Sequence, residues 1–195
     1  MQLFLVAFVA GLAAGWVGGG RLRNILELPF LYAPLALVWL ALAVQLAMLL
    51  VGDALATEAI GASYVLVAAA IALVIRRIVV ERGVCLPVWA LAIIGVGWLL
   101  NVVVMTANGG MPFDADALVQ AGMSPDMADH GVLIPKRLPL TDHSQLAFLG
   151  DVILLPGLRI LVSLGDIVLA IGIAALLFSG MRSSQWKTTA RAVSR

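Results

Sequence analysis

The 195 residues are 63% hydrophobic and only 12% charged, with a mean hydropathy of +1.09 and a formal net charge of +1. A soluble domain carries about 25% charged residues, so half that share excludes an ordinary water-soluble fold and makes lipid the main solvent. The net charge itself says little, its distribution along the chain says more, and no nucleic-acid partner is assigned.

A helix crosses about 30 Å of hydrocarbon with roughly 20 apolar residues. The chain reads as an all-α bundle of five such spans, near residues 1–20, 34–52, 60–75, 84–107 and 160–181. The first opens MQLFLVAFVA with no basic residue ahead of its apolar core, so it reads as a retained helix and not a cleaved signal. Gly11, Gly15 and Gly19 form a small-residue stripe along it, the kind of seam on which another helix packs closely. A short loop from Arg21 to Pro29 leads to the second span, where the Gln45 amide must face a helix because lipid offers it no partner. Asp53 to Glu58 joins spans two and three and is too short to fold alone. The third span is short, but Arg76 and Arg77 at its end have stems long enough to reach the head groups. Cys85, at the start of the fourth, is the single cysteine, so no intrachain disulfide forms.

Charge sets the orientation. Arg21, Arg23, Arg76, Arg77, Arg82, Arg182, Lys187, Arg191 and Arg195 all fall on one face of a five-span chain, and the positive-inside bias makes that face cytoplasmic. The N-terminus is then outside and the C-terminus inside. Acids show the reverse pattern, with the seven aspartates from Asp114 to Asp166 outside or at the outer interface. The basic tail, residues 182–195, carries Trp186 and suits an inner-leaflet anchor.

The fourth span ends at Asn108-Gly109-Gly110-Met111-Pro112. A helix stops where glycine takes the left-handed conformation, and the proline forbids resumption. One glycine suffices for that; a second leaves bare N–H groups that can hold an anion or a carbonyl. Asn101 lies two turns earlier on the same helical face. Residues 108–159 then form an external cap, expected to be short helices and loops. Asp114 caps a helix over 115–121 stopped by Gly122, Ser124-Pro125 starts another, and Leu138 to Asp142 turns the chain. Residues 144–156 are apolar but too short to cross, and read as an interfacial or re-entrant segment. Ser163-Leu-Gly-Asp166 has the spacing of a helix N-cap, with the acid at the positive end of the dipole.

Asp151 is the costliest polar residue, an ionisable group in an apolar stretch at membrane depth. Its partner is a cation among Lys136, Arg137 and Arg159, and a structural ion pair and a functional site stand as equal readings. His130 and His143, even with Asp129 or Asp142, make a poor case for metal, and none is assigned. Asp142-His143-Ser144 are sequence neighbours and do not converge as a triad must. With no nucleophile elbow, zinc helix or phosphate loop, the case for an enzyme is thin and no cofactor is implied.

Gly19-Gly-Arg-Leu-Arg-Asn24, Leu100-Asn101, Ala107-Asn-Gly-Gly-Met-Pro112, Leu149-Gly-Asp151 with Pro156, and Ser163-Leu-Gly-Asp166 occur in that order. The ordered set resembles a family of small bacterial integral membrane proteins known only as a domain of unknown function. That resemblance implies a bacterial plasma membrane and no assigned activity; where the family carries a lysine–histidine pair, this chain has Lys136-Arg137. The leading expectation is a non-enzymatic membrane protein that binds a small solute, a lipid head group or a partner protein at its outer face. Asn101, Asn108, Gly109, Gly110, Lys136 and Asp151 would line that site. The alternatives are an enzyme acting on a lipid-linked substrate, with Asp151 or Asp142 as base, and a solute or ion pathway through a homo-oligomer.

Overall fold

The computed structural model describes residues 2–26, 56–80, 88–120, 122 and 137–182, with isolated helical positions within 36–44. The second expected span therefore lies mostly outside the described residues, as do Gln45, Cys85, Ser124-Pro125, His130, Lys136 and Trp186. Helices dominate what is described: α1 (Gln2–Val17), α2 (Leu22–Leu26), α3 (Ala56–Val80), α4 (Val88–Asn108), α5 (Ala115–Gln120) and α6 (Leu164–Arg182). Two of them are long and apolar enough to cross a membrane, over Trp89–Asn108 (20 residues) and Leu164–Arg182 (19 residues). α1 and the Ala62–Val74 stretch of α3 are apolar but shorter. α1 stops at Val17, earlier than expected, because the chain turns through Gly19 at φ +78°.

The chain divides into two compact units, one of residues 1–8 and 90–173 and the other of residues 9–89 and 174–195. In the first, α4 and α6 meet backbone to backbone. A Cβ at Gly97 would lie 2.6 Å from the Leu169 nitrogen and 2.7 Å from the Gly165 carbonyl oxygen. One at Gly172 would lie 2.8 Å from the Ile94 nitrogen, whereas Gly95 faces open space. Small residues permit such approach where apolar side chains would hold the helices apart.

Between these helices the cap departs from the expected helices and loops, because short strands organise it. β1 (Met111–Phe113) runs parallel to β2 (Arg137–Pro139), with Met111 opposite Arg137 and Phe113 opposite Pro139. The other edge of β1 is covered by the Asp151 backbone: its N–H donates to the Pro112 oxygen (2.8 Å), and its oxygen accepts from the Asp114 N–H (3.1 Å). Pro112 has no N–H to contribute, but its carbonyl takes a full share. The segment expected as one interfacial or re-entrant stretch is instead a single 3-10 turn, Ala147–Leu149, followed by an antiparallel hairpin of β3 (Ile153–Leu155) and β4 (Ile160–Val162). The last helix accordingly begins at Leu164 and not at 160. A short run of Ile, Leu and Val bounded by Pro-Gly suits a strand as well as a helix, and pairing decides it. The α5 helix forms where Asp114 predicts it, with Asp114 Oδ1 accepting from the Ala117 N–H (3.0 Å), and Gly122 ends it at φ +77°. Phe113, Leu118 and Leu161 make the cap's buried core; Val104, Met111 and Leu149 make a second one against α4.

In the second unit Gly11 and Gly15 of the expected stripe form a packing seam against α6, whereas Gly19 lies beyond the helix end with nothing near it among the described residues. A Cβ at Gly11 would meet the Ala174 Cα at 2.8 Å, and one at Gly15 the Met181 Sδ at 2.6 Å. The Arg21 N–H (2.9 Å) and Asn24 Nδ2 (2.7 Å) both donate to the Met181 carbonyl, so the Gly-Gly-Arg-Leu-Arg-Asn motif caps the end of α6.

The α4–α6 contact gives a paired prediction. Gly97→Ala should lower stability in detergent by about 1–3 kcal/mol through overpacking, while Gly95→Ala, two residues away on an open face, should match or exceed the wild-type melting temperature.

Candidate functional site

Three polar groupings lie in the first unit. The deepest joins α4 to the start of α6. Ser163 is fully buried and caps α6, its Oγ accepting from the Asp166 N–H (2.9 Å). The same hydroxyl donates to Asn101 Oδ1 (2.9 Å), and Asn101 Nδ2 donates to Asp166 Oδ1 (2.7 Å). In a capping box the acid would reach back to its own cap residue. Here it reaches across to the other helix, so three residues close a ring that ties α6 to α4.

The second grouping is Asn108. Its Nδ2 donates to the Val104 oxygen one turn back and to the Gln145 oxygen (both 2.8 Å), and its Oδ1 accepts from the Gln145 N–H (2.7 Å). The amide thus acts as a rung of backbone pairing that holds the cap loop on the end of α4. Beyond the docking point Leu146 is held left-handed (φ 52°), an uncommon state for a branched residue, and it opens the 3-10 turn. Gly109 (φ +73°) ends α4 in the left-handed conformation, and Gly110 is buried beside it.

The third grouping is the ion pair. Arg137 Nη2 lies 2.7 Å from Asp151 Oδ2, bridging over β1 from β2 to the strand-like segment on its far edge. Of the three cations expected as partner, Arg137 fills the role; Arg159 is exposed in the hairpin turn at φ 50°. Asp151 is only 3% exposed. Burial raises its carboxyl from 3.8 to about 6, Arg137 pulls against that rise, and the Asp166 carboxylate adds to it. Arg137 Nε and Asp151 Oδ1 are both buried and have no hydrogen-bond partner among the described residues.

The expected site residues are thus distributed over separate tasks. Asn101 belongs with Ser163 and Asp166, Asn108 with Gln145, and Asp151 with Arg137, while Lys136 lies outside the described residues. Asp142 and His143 are exposed in the turn after β2, and no group of three metal-ligating side chains occurs among the described residues. The sequence pointed to each carboxylate and amide but not to the Gln145 backbone, whose part depends only on where the loop docks.

The class is defined by a short-stranded insert that joins two apolar, membrane-length helices and carries a buried Asp151 paired with Arg137. Residues 27–178 match the family of unknown function DUF5317, and the chain belongs to that family. No curated protein and no solved structure matches it significantly.

The raised Asp151 carboxyl has a definite sign. The folded chain holds this proton more tightly than the unfolded chain. The contribution to stability is therefore complete below about pH 4 and lost as the pH climbs through 6. Acidifying from pH 7 to 5 should stabilise wild type over Asp151→Asn by about 1 kcal/mol, read as the difference between the two melting curves. Separately, Asn108→Asp should free the loop around Gln145, since a carboxylate cannot donate to the Val104 and Gln145 carbonyls. Faster amide exchange confined to 141–149 is the expected result.

Proposed function

We propose that the chain is a multi-pass plasma-membrane protein of five spans, N-terminus outside and C-terminus cytoplasmic. In this reading it binds a small solute, a lipid head group or a partner protein at its outer face and performs no chemistry. Support for the membrane setting comes from the segregation of basic and acidic residues along the chain and from large apolar side chains left exposed on the helices, among them Leu99 and Val103 of α4 and Ile171 of α6. The cap at residues 108–159 then stands on the outer side.

The observation that carries the binding reading is the Arg137–Asp151 pair. A buried ion pair adds little net stability, and well-packed apolar residues commonly replace it without loss. This one, moreover, leaves a buried donor and a buried acceptor unused. Perturbed, desolvated carboxylates concentrate at functional sites, and this carboxylate is buried within the cap beside β1. The hydrogen bonds of Asn101, Ser163 and Asp166 are consumed in tying α6 to α4, and those of Asn108 in holding the cap loop, which leaves the ion pair as the recognising element.

Two measurements test this reading. Asp151→Asn should fold with near wild-type yield in detergent, and a species that travels with the gently purified wild type, seen by native mass spectrometry, should be missing from it. If Asp151→Asn and Asp151→Ala both collapse in yield, the carboxylate is structural and the reading loses its centre. A cytoplasm-active reporter fused after Arg195 should be active; a silent one reverses the orientation.

A further inference from the structure

We infer that Arg137 and Asp151 form the recognition site for a hydroxyl group, which accepts from Arg137 Nε–H and donates to Asp151 Oδ1. This deepens the outer-face binding reading and rests on it.

A guanidinium is a planar fork, and its Nε–H and one Nη2–H point side by side along the same edge. A carboxylate facing that edge normally takes both hydrogens, one on each oxygen. Here the edge is half used: Nη2 meets Oδ2 at 2.7 Å, while Nε and Oδ1 find no partner although both are buried. The Asp151 side chain is 4% exposed and that of Arg137 21%. A buried polar atom left unpaired is costly, so one group with two properties would satisfy both atoms at once. It must accept from a cationic N–H and donate to an anionic oxygen.

Charge narrows the choice. An anion accepts from Nε–H but is repelled by Asp151, with Asp166 close enough to add to that repulsion. A cation donates to Oδ1 but meets the guanidinium. A neutral group avoids both penalties, and a hydroxyl is the smallest that accepts and donates through a single atom. Since the Nη2–Oδ2 contact already pins the two side chains together, the smallest bridge is the one that displaces them least. Two sources supply such a hydroxyl at a membrane surface: a lipid head group that carries a free alcohol, and a dissolved polyol.

The test uses the full chain in nanodiscs with 15N-labelled arginine, following the Arg137 Nε–H signal, which is assigned by its loss in Arg137→Lys. In phosphatidylcholine, whose head group has no hydroxyl, added glycerol should shift that signal if the source is a dissolved polyol. Replacing the lipid with phosphatidylglycerol should shift it if the source is a head group. Either result supports the site. An unmoved signal in both arms means that water alone bridges the pair, and overturns it. Arg137→Lys keeps a cation beside Asp151 but removes Nε–H, so it should fold and bind the responding probe on the order of tenfold more weakly. Undiminished binding overturns the assignment. The two readings fail differently. A ligand that co-purifies with wild type and stays on both Arg137→Lys and Asp151→Asn leaves outer-face binding standing and removes this site; a wild type that binds nothing removes both.

Discussion

The cap depends on how β1 is paired. Between the end of α4 and the start of α6 the chain passes through a buried strand of three residues, and a buried backbone group without a partner is expensive. Both edges of that strand are therefore occupied, one by β2 and the other by the Asp151 backbone. This arrangement fixes what stands next to it. Gly150 has to be glycine, because a Cβ there would lie 2.5 Å from the Pro112 oxygen. Asp151 is carried into the interior by its own main chain, and Arg137, arriving on the opposite edge, pairs with it.

The charged and polar groups accordingly follow a division of labour. The ring of Asn101, Ser163 and Asp166 fixes the start of α6 against α4, just beyond the close approach of Gly97 and Gly165. Asn108 fixes the loop. All three residues of the ring turn their hydrogen bonds inward, as does the Asn108 amide. Of these three groupings, the Arg137–Asp151 pair alone has a buried donor and a buried acceptor with no partner among the described residues. A network satisfied within itself specifies a structure, whereas one with a donor and an acceptor to spare is suited to recognition.

Much of this was legible from local rules. The stop at Asn108-Gly109, the Asp114 cap, the Gly122 terminator and the close-packing stripe through Gly11 and Gly15 each follow from a few adjacent residues, and the structure has them where the sequence puts them. What stayed hidden was pairing across distance. Strands as short as Met111–Phe113 and Arg137–Pro139 have no periodicity to read, and their partnership is a matter of register. The Ile-Leu-Leu and Ile-Leu-Val runs of the hairpin resemble pieces of a membrane-surface helix until Pro156-Gly157 is seen to fold one onto the other. For the same reason the sequence narrowed the partner of Asp151 to three cations but did not choose among them.

The Asn108 contacts also bear on chemical ageing. Asn-Gly is the dipeptide in which the following backbone nitrogen most readily attacks the side-chain carbonyl, expelling ammonia and closing a cyclic imide that water then opens to aspartate or its isomer. In the docked cap both ends of that amide are immobilised by the Val104 and Gln145 hydrogen bonds, and the ring cannot close without breaking them. The loop thus shields its own anchor. An acid at this position would have no hydrogen to give the Val104 and Gln145 carbonyls, so the bonds that dock the loop also protect the group that forms them.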